Sequence, residues 1–211
     1  GKSTVAQLLL RMYDVSAGKI EIEGQDIRNI PVKQLREQTS YVPQDVFLFS
    51  ETVENNIGFG LPKTDRETVE KAAGMASVDK EIAGFSDQYE TMIGERGVTL
   101  SGGQKQRISI ARALVKDANL VIFDDCLSAV DSRTEKEIIS NLNQYLQDKT
   151  AIIITHRIFA LFDFDKIVVL EDGVIIEEGS HTALLQKNGY YAGLYNRQQQ
   201  LESETRNLSA E

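Results

Sequence analysis

The chain has no tryptophan, a single cysteine, two histidines and three prolines in 211 residues. Cys126 alone forms no internal disulfide and belongs to no Cys or His ligand pattern, which leaves a reducing compartment as the expectation. His156 and His181 are too few and too far apart for a metal centre built on imidazole. The longest uninterrupted apolar run is Ile158 to Phe162, far below the ~18 residues that a membrane-spanning helix requires. Basic residues are outnumbered, 23 Lys and Arg against 32 Asp and Glu, for a net charge of −9 and a pI near 4.9. That balance excludes a general binder of nucleic-acid backbones, which needs a clustered basic surface. It does not exclude a nucleotide, because a few local groups can hold one. With 41% hydrophobic and 26% charged residues, the composition is that of a folded globular chain rather than a disordered one.

Helical spacing of Val5, Leu8, Leu9 and Met12 predicts an amphipathic helix over Ser3 to Tyr13, and Gly18 to Gly24 alternates as a short half-exposed strand. A short helix is expected from Pro31 to Gln38, and a short strand at Tyr41 and Val42 runs into a loop at Gln44. Asp65 to about Phe85 reads as helical, interrupted at Gly74 and restarted near Asp79, in a stretch with no strand pattern. Three Ile- and Val-rich runs follow, at 120–124, 151–156 and 166–170, and are expected as parallel strands buried on both faces. Glu171 to Val174 is expected to turn a hairpin, and the polar end beyond about Ser203, after the run Gln198-Gln199-Gln200, to fray.

Three short motifs carry chemistry. Gly1-Lys2-Ser3-Thr4 matches the end of the phosphate-binding pattern G-x-x-x-x-G-K-[ST], in which backbone N–H groups, the Lys ammonium and the hydroxyl meet phosphate and Mg²⁺; a helix that merely begins Lys-Ser-Thr is the alternative. Asp124 ends an apolar strand where open α/β sheets bind ligands, and would hold a hard cation; an Asp that only terminates a strand is the alternative. Leu100-Ser101-Gly102-Gly103-Gln104 opens a helix with two glycines in its first turn. An ordinary Ser cap is one reading, but each glycine costs about 1 kcal/mol relative to Ala, which favours a ligand at the helix N-terminus.

In that order, and with Arg107 and Ala111-Arg112-Ala113-Leu114 following, these motifs resemble those of ATP-binding cassette ATPases. The resemblance covers nearly the whole chain: Gly1 to Thr4 as the end of Walker A, Gln44 as the Q-loop, Leu100 to Gln104 as the signature, Leu120 to Asp124 as Walker B, Ser128 to Asp131 as the D-loop and His156 as the H-loop. Thr91 to Gly97, Phe47 to Gly60 and Glu178 to His181 resemble exporter-type members, in which the first of these, the X-loop, touches the transmembrane domain; a solvated charged pair is the alternative reading of Glu95 and Arg96.

The resemblance implies an α/β fold: a P-loop, RecA-like core with a mostly parallel sheet and an inserted α-helical signature subdomain, its N-terminal strands truncated. The implied division is 1–50 for partial core, 51–116 for the helical subdomain, 117–200 for the rest of the core and 201–211 for a frayed tail. It implies ATP and Mg²⁺ as ligands, with Gly1, Lys2, Ser3 and Thr4 on the nucleotide, and Ser3, Gln44 and Asp124 toward the metal. Ser101, Gly102, Gly103 and Gln104 would complete the nucleotide site of a second such domain in a head-to-tail pair. Asp125, His156 and Gln44 are the implied catalytic residues, His156 approaching the γ-phosphate.

One departure stands out. Active members of the family carry Glu after the Walker B Asp, whereas this chain has Asp125. Loss of one methylene withdraws the base from the attacking water, so the chain resembles the degenerate-site subunit of a heterodimeric exporter with a different partner subunit. A regulatory nucleotide-binding subunit with negligible turnover is the second reading. A chromosome or repair ATPase ranks last, since no heptad run is present. The chain is accordingly expected to be the C-terminal part of a longer membrane transporter, cut inside its phosphate loop and separated from its transmembrane domain. As such it is expected to bind ATP poorly by itself and, in the whole protein, to lie at the cytoplasmic face of the plasma (inner) membrane.

Overall fold

The computed structural model describes all residues except 64, 95–96, 160–161 and 209–211, with backbone alone at 202 and 205–208. It divides into two compact units, Val5–Ile154 and Gly1–Thr4 with Thr155–Glu211.

The first unit is built on a parallel sheet in the order β3 (Thr39–Val42), β4 (Leu120–Asp124), β5 (Thr150–Ile154). The central strand has the most apolar sequence, and Val121, Ile122 and Phe123 are at most 2% exposed. β5 departs from the expectation of burial on both faces: Thr150 and Ala151 are exposed and its isoleucines half-buried, because only β4 pairs with it among the described residues. Ahead of the sheet, α1 (Lys2–Leu9) is shorter than the apolar spacing predicts. Arg11 turns into the left-handed region at φ 47° and sends its guanidinium to the carbonyls of Ile27 and Ile30. Ala6 and Leu10 pack on Ile122. The alternating segment after Gly18 pairs only briefly, β1 (Glu21–Ile22) with β2 (Gln25–Asp26), and α2 (Val32–Glu37) follows Pro31.

Every named element between Val53 and Leu114 is helical: α3 (Val53–Ile57), α4 (Arg66–Met75), α5 (Asp79–Ala83), a 3₁₀ turn at Gln88–Glu90, and α6 (Gly102–Leu114). Gly74 lies inside α4, and the interruption falls three residues later, where Ser77 adopts φ 53°. α6 packs against α3 and α4, and α7 (Ser132–Tyr145), capped by Asp131, connects β4 to β5 while burying Ile138, Ile139 and Leu142.

In the second unit, β6 (Ile167–Glu171) corrects a prediction. It pairs antiparallel with β7 (Val174–Gly179) in a two-stranded sheet, not parallel in the main one, and Val168 and Val174 are exposed. The Asp172-Gly173 turn, with φ of 48° and 81°, closes the hairpin as its sequence predicts. α8 (His181–Lys187) and α9 (Tyr190–Leu208) complete the unit around Ile158, Leu184 and Tyr191. α9 is helical through Leu208. No helix among the described residues is long and apolar enough to cross a membrane.

The start of α9 depends on a glycine. Buried Glu177 accepts hydrogen bonds from the N–H groups of Tyr190 and Tyr191 at 3.0 and 2.9 Å, and a Cβ on Gly189 would lie 1.8 Å from its Oε1. Gly189→Ala therefore displaces the carboxylate and uncaps the helix. The expected cost is about 1–2 kcal/mol, a lowering of the melting temperature of the full-length protein by a few degrees in thermal unfolding.

Candidate functional site

The parallel register sets Val42 opposite Phe123, so the residues following β3 and β4 emerge at the same carboxyl edge of the sheet, where α/β folds take ligands. Gln44, exposed, lies two residues beyond β3. Asp124, 2% exposed, ends β4 and accepts a hydrogen bond from the Tyr41 hydroxyl at 3.4 Å. Burial first, and the neighbouring Asp124 charge second, push that hydroxyl up to about 12. Asp125 follows in the left-handed region at φ 46°, a conformation that Asp tolerates better than most residues because its short side chain can bond locally. Its N–H donates to the Ile154 carbonyl at 2.8 Å, which ties the turn after β4 to the end of β5.

In the other unit, Lys2 begins α1, preceded by exposed Gly1 and followed by half-buried Ser3 and exposed Thr4. The Lys2 ammonium donates to the Thr155 carbonyl at 2.9 Å and lies 3.1 Å from His156 Nδ1. Thr155 Oγ1 accepts from the Arg157 N–H at 2.9 Å, so the backbone around exposed His156 is turned locally.

At the start of α6, Ser101 and Gln104 form a reciprocal capping box: the Ser101 hydroxyl accepts from the Gln104 N–H at 3.2 Å, and Gln104 Oε1 accepts from the Ser101 N–H at 2.8 Å. The two glycines have a packing reason besides any ligand. A Cβ on Gly103 would come within 2.9 Å of the Ala129 carbonyl, and one on Gly102 within 3.5 Å of the Ala129 side chain. A recess of about 320 Å³ opens there, lined by Ser101, Gly102, Gly103, Arg107, Ala129, Val130 and Asp131. Arg107 holds the helix end from beneath, forking onto Glu81 at 2.8 and 2.9 Å and donating to the Ser77 carbonyl at 2.8 Å.

One glutamine joins this helix to the loop after β4. Gln106 Nε2 donates to Ser128 Oγ at 3.0 Å, its Oε1 accepts from the Ala129 N–H at 2.9 Å, and Ser128 Oγ donates to the Asp125 carbonyl at 3.2 Å. Cys126, within the same turn, is buried. Burial pushes its thiol up to about 12, which removes thiolate chemistry there. Of the segment read as an X-loop, Glu95 and Arg96 lie outside the described residues.

The sequence profile described as ABC transporter matches residues 1–128, more than half of the chain. The chain belongs to the ABC transporter family. Among curated ABC transporters it is 42% identical over 199 residues to ATP-binding cassette sub-family B member 6 of Xenopus tropicalis, covering 94% of this chain and 23% of that protein. It is 43% identical over 201 residues to the mitochondrial iron-sulfur clusters transporter atm1 of Aspergillus fumigatus, covering 94% of this chain and 28% of that protein. To the ATP-dependent lipid A-core flippase of Vibrio vulnificus it is 43% identical over 196 residues, covering 92% and 34%. The chain thus spans about a quarter to a third of the length of these relatives. A solved structure of a bacterial Atm1-family ABC exporter with ATP bound superimposes with a TM-score of 0.90 at 44% identity, covering 94% of this chain and 35% of that one.

Within this ABC transporter chain, the structure brings Gln44, Asp124 and Asp125 to one sheet edge, Lys2 beside His156, and the Ser101–Gln104 turn beside 129–131. Sequence motifs named Ser128 as the start of the D-loop but did not reveal Tyr41 or Gln106 as supports, since a Tyr on a strand and a Gln on a helix carry no local signal of partners more than twenty residues away. Gln106→Leu removes both bonds to the 128–129 turn. It is expected to speed hydrogen exchange of the Ala129 amide about tenfold, the equivalent of one lost hydrogen bond of about 1.4 kcal/mol.

Proposed function

We propose that this chain is the ATP-binding and hydrolysing domain of an ABC exporter, which couples ATP binding and hydrolysis to the movement of a substrate across a membrane. The observation that carries this reading is the arrangement in one unit of two half-sites: Gln44, Asp124 and Asp125 at the carboxyl edge of the sheet, and the glycine-lined recess at the start of α6. The domain divides at 1–50, 51–116 and 117–200, with the helical part carrying the signature.

The donor set suits a Mg²⁺-nucleotide. Asp124 is a single buried carboxylate, Gln44 adds an amide oxygen and Ser3 a hydroxyl, and no group of three or more His, Cys, Asp or Glu residues gathers among the described residues. Mg²⁺ is commonly held through only one or two carboxylates, with neutral oxygens, phosphate oxygens and water filling the rest of its shell. When bound, it neutralises charge on the transferring phosphoryl group. Lys2, with Gly1, Ser3 and Thr4, binds the phosphates; Asp125 orients and accepts a proton from the attacking water; His156 holds the γ-phosphate; Gln44 reports the nucleotide. Ser101, Gly102, Gly103 and Gln104 complete the site of a second nucleotide-binding domain arranged head-to-tail. That second domain belongs to a different subunit carrying Glu at the base position, and the transmembrane domain is part of this chain's own polypeptide. The domain works at the cytoplasmic face of the plasma (inner) membrane.

Relatives named for iron–sulfur cluster transport and for lipid A-core flipping differ in cargo, which supports a reading in which the cargo is selected outside these residues. The full-length protein, reconstituted with its partner in vesicles, is expected to transport its cargo only with Mg-ATP. Transport indifferent to Mg-ATP would overturn the reading. Asp125 also favours a second one, a regulatory subunit whose site binds ATP with negligible turnover and whose signature serves the partner.

A further inference from the structure

The Gln198-Gln199-Gln200 run has no place in the nucleotide chemistry, and its three members differ. Gln199 and Gln200 are exposed, whereas Gln198 turns inward from α9 and grips the backbone of Ile158 with both ends of its amide. Its Nε2 donates to the Ile158 carbonyl at 2.9 Å and its Oε1 accepts from the Ile158 N–H at 2.9 Å. This two-point bond fixes direction as well as distance, since only a primary amide of this length offers a donor and an acceptor side by side. Ile158 is also held through its side chain, packed with Leu184 and Tyr191. Two residues earlier stands His156, and on its other side Thr155 Oγ1 accepts from the Arg157 N–H. The backbone that carries the imidazole is therefore constrained at Thr155–Arg157 by a local turn and at Ile158 by a helix forty residues on in the chain.

We propose that Gln198 is a positioning residue for His156: by clamping Ile158, the C-terminal helix α9 sets where the imidazole stands against the γ-phosphate. The proposal rests on the reading of His156 given above. It makes α9 part of the catalytic machinery at one remove, and gives any event that moves α9 a direct route to turnover.

The test uses the full-length transporter assembled with its partner. Hydrolysis at this chain's own site is followed by vanadate trapping of a photoreactive ATP analogue on this chain. Gln198→Leu is expected to slow trapping at saturating nucleotide about tenfold or more, in line with the cost of displacing a reacting group by a fraction of an ångström, while the half-saturating concentration changes less than about twofold. Gln199→Leu, on the exposed face, leaves both unchanged. Gln198→Glu keeps the acceptor for the Ile158 N–H but sets a carboxylate against its carbonyl. It shows an intermediate loss and serves if the Leu variant does not assemble. In a His156→Ala background, adding Gln198→Leu has no further effect, because the clamp acts through the imidazole. Equal losses in both backgrounds, or a raised half-saturating concentration with the rate retained, would overturn the proposal and leave the role of His156 standing. A His156→Ala protein with unchanged trapping would overturn the reading of His156 itself, and the clamp's catalytic role with it.

Discussion

Asp125→Glu raises ATP turnover at this chain's own site by about one to two orders of magnitude, measured as phosphate release by the full-length protein with its partner. The direction follows from reach. A general base must come within ~2.6–3.2 Å of the proton it takes, and Asp falls short of Glu by about one bond length. The backbone argues for a net gain smaller than reach alone suggests. Residue 125 sits at φ 46°, where Asp is at ease and Glu pays about 1 kcal/mol or less, roughly a fivefold offset. Nothing else in the turn need change, since the Asp125 N–H and carbonyl, bonded to Ile154 and Ser128, are common to both residues. Unchanged turnover would remove the short carboxylate as the cause of a slow site and favour the regulatory reading instead.

The same turn shows how far the amino-acid sequence reaches. The run Leu120 to Asp124 could be assigned as a buried strand ending in an acid, because a central parallel strand needs apolar residues on both faces. The equally apolar runs at 151–154 and 167–170 could not be distinguished from it. Their half-exposed positions depend on which strands lie beside them, and that is a property of tertiary pairing rather than of local pattern. The capping box at Ser101 and Gln104 was visible as a Ser start, yet the reason for Gly103 was not. It is the Ala129 carbonyl, 26 residues away, that leaves no room for a Cβ. Likewise the two glutamines with the most specific contacts, Gln106 and Gln198, are indistinguishable in sequence from their solvent-facing neighbours, since a long polar side chain reads as surface until its partner is known.

Asp124→Asn is expected to reduce Mg²⁺-dependent ATP turnover at the own site about a hundredfold or more while leaving the fold intact. Asn has the shape of Asp and retains an oxygen acceptor for the Tyr41 hydroxyl, so the contact at 3.4 Å survives. The substitution takes away a negative charge from a position 2% exposed to solvent, and a buried charge is costly to keep. Stability should therefore stay within about 1 kcal/mol of the parent or rise, whereas affinity for a hard dication, which depends on that charge, falls. Tyr41 provides an internal check. Its hydroxyl is raised to about 12 by burial foremost and by the Asp124 charge next, so in the Asn variant its titration moves down but remains above the ordinary value. The decisive comparison sets a Mg²⁺ titration of turnover beside a thermal melt of the same protein. Activity lost with the melting temperature held or raised assigns Asp124 to metal binding. Activity and stability lost together would make it a strand-end residue whose carboxylate serves packing alone.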